Sequence, residues 1–158
     1  MKKILSKILV IIACLGTTSC SDQLDIMFKD FFVCIMDANG ASSSSVPSYS
    51  NEFWVSYFVE LHAETRSGDV VVNYEVIPGD GLKEGVDYKL ASTEHTVIFP
   101  KNVYRMPLRI QYMRHTVDPT KDNTLTIRLL STNDPEVSVG YPGPSKKYSE
   151  YVVTKVND

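Results

Sequence analysis

The stretch Phe53-Trp54-Val55-Ser56-Tyr57-Phe58-Val59-Glu60-Leu61-His62-Ala63 decides how this chain folds. Phe53, Val55, Tyr57, Val59, Leu61 and Ala63 form one apolar row, while Trp54, Ser56, Phe58, Glu60, His62 and Glu64 form a mixed one. Successive side chains of a strand point to opposite faces, so a period of two with one apolar row predicts a half-buried strand over 53–63. The apolar row faces a core, which leaves Trp54 and Phe58 on the opposite face.

The same period recurs outward from this strand. Val70, Val72, Tyr74 and Val76 alternate with Val71, Asn73 and Glu75 before Pro78-Gly79-Asp80-Gly81 ends the run. Further strands are expected over 28–37, 96–99, 104–114, 125–130 and 148–156, with 41–50 a Ser-rich connection containing Pro47. In the 104–114 segment Met106, Leu108, Ile110 and Tyr112 alternate with Arg105, Pro107, Arg109 and Gln111, so its polar face is basic. Pro107 has no N–H to give to a ladder, which places that strand at an edge or beside a bulge. No segment shows a helical stripe of useful length. About seven strands joined by Gly, Pro and Asn turns predict an all-β chain: a single two-sheet antiparallel β-sandwich, immunoglobulin-like, over 28–158.

The first residues carry an address. Lys2, Lys3 and Lys7 precede the apolar run from Ile8 to Leu15, which is too short to span a bilayer. Gly16-Thr17-Thr18-Ser19 and Cys20 follow, an arrangement similar to a bacterial lipoprotein signal in which the Cys becomes the lipidated first residue. Residues 1–19 are then the signal peptide and 20–27 an acidic tether, with Ser21-Asp22-Gln23-Leu24-Asp25 at its start. That tether resembles those of surface-exposed lipoproteins of Bacteroidota. The expected location is the outer membrane through lipid on Cys20, facing the cell surface, with the periplasmic face as the alternative. Removing the signal leaves 13 basic residues against 19 acidic ones, a balance that argues against nucleic acid as a partner.

Little catalytic chemistry is legible. No nucleophile elbow, phosphate loop, His-Glu-x-x-His or paired-Cys zinc pattern occurs, and Glu60 and Glu64 read as solvating acids on one strand face. His62, His95 and His115 lie on separate strands or loops, so neither an enzyme nor a zinc site is expected, and no cofactor is implied. Of three cysteines, Cys14 lies in the apolar run and Cys20 takes lipid. Cys34, in Phe31-Phe32-Val33-Cys34-Ile35-Met36, reads as a small buried apolar side chain with no His beside it in sequence. The candidates for binding are aromatic: Trp54 and Phe58 on the outward row, and Tyr141 in Gly140-Tyr141-Pro142-Gly143-Pro144, a loop able to hold a ring in solvent. Flat rings stack on the apolar C–H faces of sugars.

One resemblance is specific. Val70-Val71-Val72-Asn73-Tyr74-Glu75-Val76, Glu84-Gly85-Val86-Asp87-Tyr88, Thr96-Val97-Ile98-Phe99-Pro100, Leu108-Arg109-Ile110 and Leu125-Thr126-Ile127-Arg128-Leu129, in this order, resemble a Calx-beta domain over about residues 70–156. Gly85-Val86-Asp87-Tyr88 has a structural reading: Gly relaxes the turn, Asp bonds neighbouring amides, and Tyr lays its ring on the core. Small lipoproteins with such domains accompany glycan-uptake systems of Bacteroidota, so the resemblance implies a non-catalytic surface accessory module for glycan capture. A structural or adhesive module contacting another protein, such as a partner lipoprotein or transporter, is the alternative. The resemblance also raises a calcium-binding domain as a second alternative, since such domains cluster acids in loops at one end. Here the loop after the long strand offers only Asp118 and Asp122 beside Asp87, against the six to eight oxygens calcium requires, so no metal is expected there.

Overall fold

The computed structural model describes residues 30–49 and 51–157, and every regular element among them is a strand. The signal peptide, the tether, Cys20 and Cys14 lie outside the described residues. The strands are β1 Phe31–Met36, β2 Ser43–Pro47, β3 Phe53–His62, β4 Val70–Pro78, β5 Tyr88–Leu90, β6 Thr96–Phe99, β7 Arg105–Tyr112, β8 Thr124–Thr132, β9 Val137–Val139 and β10 Glu150–Val156. They form two five-stranded sheets: sheet A in the order β5-β7-β3-β1-β9 and sheet B in the order β2-β10-β8-β4-β6.

Between the sheets lies one apolar core. Val33 and Ile35 of β1, Tyr57, Val59 and Leu61 of β3, and Leu108, Ile110 and Tyr112 of β7 come from sheet A. Val70, Val72 and Tyr74 of β4, Leu125, Ile127 and Leu129 of β8, and Tyr151 and Val153 of β10 come from sheet B. Each fully buried aliphatic side chain contributes about 1.5–3 kcal/mol relative to leaving it in water. The tyrosines join the sheets. Tyr57 stacks obliquely on Tyr151 at 4.7 Å between ring centroids, and its hydroxyl meets that of Tyr112 at 2.9 Å. Burial pushes both Tyr57 and Tyr112 hydroxyls up, so they stay protonated and serve as hydrogen-bonding groups.

Among the described residues the sandwich thus has ten strands, not about seven, and it is not wholly antiparallel. The three additional strands β2, β5 and β9 are short and lie at sheet edges. β9 pairs with β1 in parallel, Phe31 opposite Val137, and β2 pairs with β10 in parallel, Val152 opposite Ser43. The stretch expected as a Ser-rich connection supplies β2, because an edge strand needs only a backbone ladder and one buried side chain, here Val46.

Pro107 sits in β7, between β5 and β3 in the sheet order, but β5 reaches only Ile110 to Tyr112. Leu61 N–H donates to Tyr104 C=O at 2.8 Å, and the alternation of an antiparallel ladder makes Phe58 and Pro107 a pair without mutual hydrogen bonds. The ring nitrogen of Pro107 therefore faces the side where β5 has ended. The strand is interior at one end and an edge at the other.

Candidate functional site

Three places bring together the residues that the sequence singles out. The first is the outer face of sheet A. The alternation of β3 holds: Tyr57, Val59 and Leu61 are buried, and Trp54 is 44% exposed on the other face. Across the ladder Ser56 stands opposite Arg109 and Glu60 opposite Arg105. The Arg109 guanidinium lies 5.1 Å from the Trp54 ring centroid, and that of Arg105 lies 3.8 Å from Phe58. Phe58 is half-buried with Met36 and Pro107 as its cross-strand neighbours, so it is packed into the face instead of forming an open platform. Glu60 and Arg105 form an ion pair at 3.2 Å.

The second place is the adjoining part of the same face, where β1 continues the sheet. Phe32, Cys34 and Met36 share this side with Phe58, Glu60 and His62, in the register Phe32 to His62 and Cys34 to Glu60. Phe32 and Cys34 are nevertheless buried, because residues 140–148 fold over them. Gly140 N–H donates to Val33 C=O and Tyr148 C=O accepts from Ile35 N–H, both at 2.8 Å. Gly140 has a φ of +79°, and a Cβ there would meet the Lys146 carbonyl at 2.5 Å, so only glycine suits the position. The Tyr141 ring turns back onto Phe32 at 4.8 Å and is half-buried. The expectation of a ring held out by the Pro/Gly loop is thus corrected: a neighbouring apolar surface was available, and the ring covered it.

This packing produces a cluster that the sequence reading missed. One ligand atom each from Cys34, Glu60 and His62 lie within 4.8 Å of one another. Burial, and after it the Glu60 carboxylate, push the Cys34 thiol up to about 12, so it is no free nucleophile near neutral pH. His62 stacks on Phe32 at 4.5 Å with an interplanar angle of 12°. The histidine absent from Cys34's sequence neighbourhood arrives across the β1–β3 ladder. Only the strand register carries that signal.

The third place is the end of the sandwich that carries the Gly85-Val86-Asp87-Tyr88 turn. Gly85 has a φ of +79°, Tyr88 is buried in the core, and Asp87 Oδ2 accepts from Lys83 N–H at 2.9 Å, as the structural reading of this turn expects. Asp87 Oδ1 also meets Lys155 Nζ and His115 Nδ1, each at 2.9 Å. Asp87 and Lys155 are both 2% exposed, and the ammonium also donates to the carbonyls of Met113 and Asp87. Burial alone would raise the Asp87 carboxyl, but Lys155, the Lys83 amide and His115 outweigh it and hold the group below the ordinary carboxylate range.

The other two acids of the calcium alternative are occupied locally. Asp118 Oδ1 accepts from the amide and hydroxyl of Thr120, which holds its carboxyl below the usual range, and Asp122 Oδ1 accepts from the amide and hydroxyl of Thr124. Among the described residues, the donor group within 4.8 Å is that of Cys34, Glu60 and His62, and Asp87, Asp118 and Asp122 form none.

No family model and no curated protein matches the chain. Solved structures do. The apo-form Calx CBD1 domain superposes with a TM-score of 0.53 at 20% identity, covering 80% of this chain and 98% of that one. CBD12 from CALX1.2 gives 0.52 at 21% identity, covering 74% of this chain and 42% of that one. A structural-genomics protein of unknown function from Bacteroides ovatus gives 0.52 at 14% identity, covering 80% and 47%. This chain therefore spans almost all of the first neighbour's length and less than half of the other two. At these identities the likeness is one of fold, and the fold is a Calx-beta-like β-sandwich.

Proposed function

We propose that the chain is a non-catalytic binding module of the cell envelope, tethered through lipid on Cys20, that captures glycan on the outer face of sheet A. The observation that carries this reading is the position of Trp54: a large flat ring, 44% exposed, on a strand whose other row is anchored in the core. A ring mounted on a sheet is positioned more firmly than one on a loop. Arg109 beside the indole supplies donors for sugar hydroxyl or carboxylate oxygens, so stacking and hydrogen bonding fall on one ligand. Phe58 and Tyr141 support the face from within it. Calcium is the weaker reading, because Lys155 already supplies the cation at Asp87.

A protein partner is the second reading, and the arginines favour it. Trp and Arg are the side chains enriched at interaction hot spots, and Arg105 and Arg109 lie over Phe58 and Trp54 beside the open stretch of β7 at Pro107. An array of immobilised glycans, probed with the wild type and with Trp54→Ala, separates the two. The glycan reading expects binding by the wild type and a loss of about tenfold or more in the variant, equivalent to about 1.4 kcal/mol. Absence of binding across the array, or equal binding by both proteins, overturns it and leaves the protein partner.

A further inference from the structure

We propose that Cys34, Glu60 and His62 form a binding site for a zinc-class divalent metal ion on the outer face of sheet A. Three side chains of three donor types converge there from two hydrogen-bonded strands. Cys34 stands directly opposite Glu60 in the β1–β3 register, and His62 lies two residues further along the same face. Thiolate sulfur, imidazole nitrogen and carboxylate oxygen are the donors that zinc takes, and three protein ligands with a fourth position free are a common arrangement for it.

The distances fit that use better than they fit a hydrogen-bonded cluster. His62 Nε2 and Glu60 Oε2 are 3.6 Å apart, long for a hydrogen bond. Two ligand atoms on one tetrahedral zinc, each at about 2.0–2.1 Å from the metal, stand roughly 3.3–3.5 Å apart. With all three donor atoms within 4.8 Å of one another, side-chain rotations of about an ångström close the set. The groups around them already hold these ligands in place. Phe32 stacks flat on the His62 ring and limits its rotation, and Arg105 takes the other oxygen of Glu60, leaving Oε2 toward the histidine. The Tyr141 ring covers the Phe32 side at 4.8 Å and lies 6.4 Å from His62.

Entry is from the Glu60 and His62 side, where the side chains are 23% and 43% exposed. On binding, sulfur gives its proton to solvent and bonds the metal as thiolate, and the fourth position takes water. Its three ligands are distinct from Trp54 and Arg109, so the metal site stands or falls separately from the Trp54 reading.

Cobalt(II) is the probe, because a thiolate ligand gives it a near-ultraviolet charge-transfer band and tetrahedral geometry gives intense visible bands. Titration of the purified, reduced full-length chain should produce both at one equivalent, and zinc should displace them. Cys34→Ser should abolish the charge-transfer band although Cys14 and Cys20 remain. His62→Ala and Glu60→Gln, changes at partly exposed side chains that leave the core intact, should each weaken affinity at least about tenfold, the lower figure for losing even an outer partner of a ligand. A band that persists in Cys34→Ser, no band in the wild type, or unchanged affinity in both His62→Ala and Glu60→Gln would overturn the proposal.

Discussion

Asp87 and Glu60 are two carboxylates in similar company. Asp87 has His115 and Lys155; Glu60 has His62 and Arg105. The outcomes differ. At Asp87 the ammonium and the imidazole nitrogen both close to 2.9 Å, and the carboxylate and the ammonium are almost wholly buried. At Glu60 the histidine stays 3.6 Å away, and Arg105 is about half exposed. Depth explains the contrast. A charge removed from water must find its full set of partners or lose stability, whereas one at the surface completes its set with water. The buried pair therefore spends its groups on the fold, and the surface set keeps donors available to a ligand.

The largest expected effect breaks the buried pair. Lys155→Met takes the buried ammonium from the Asp87 carboxylate, leaving it the Lys83 amide and the part-exposed His115 ring, and should cost about 3–5 kcal/mol in urea unfolding followed by Trp54 fluorescence, while Arg105→Met, at an exposed ion pair, should cost about 1 kcal/mol or less. Equal losses would mean that depth does not separate the two clusters.

Acid sharpens the same contrast. Because the folded Asp87 carboxyl is held below its unfolded range of about 3.9, its contribution is fully present above that value and is lost as pH falls through the lower, folded value. Wild-type stability should therefore fall as pH drops below about 4, and the double variant Asp87→Asn, Lys155→Met should fall less steeply in that window. Parallel curves would assign the acid sensitivity to other carboxylates.

The smallest effect belongs to the outer face. Trp54→Ala should cost about 1 kcal/mol or less, against about 3–5 for a buried aromatic, and acrylamide should quench Trp54 readily. Weak quenching with a large loss would make this face part of the core and remove its use for binding.

Legibility followed the length scale of each signal. The alternation of Phe53 to His62 was readable because the period of two is imposed by the backbone, and the buried and exposed rows follow it along β3. The three edge strands were not. Ser43–Pro47 and Val137–Val139 each pair in parallel with a segment more than 100 residues away, a relation that no local window contains. Lys155 shows the same limit: at Tyr151, Val153 and Lys155 the period of two continues, but a lysine on the inward row looks like an interruption until Asp87 is seen beneath it.

The chain by itself determined that it is all-β, which rows of β3, β4 and β7 face inward, that Gly85-Val86-Asp87-Tyr88 is a turn, and that Trp54 stands on the outward row. These follow from steric and hydrophobic rules acting over a few residues. Tertiary structure alone decided the parallel edge pairings, the packing of Tyr141 against Phe32, the ion pair of Asp87 with Lys155, and the meeting of Cys34 with Glu60 and His62. Each depends on which strands become neighbours and in what register, and that is set by the packing of the whole core, because a shift of one residue would turn every side chain of a strand to the other face.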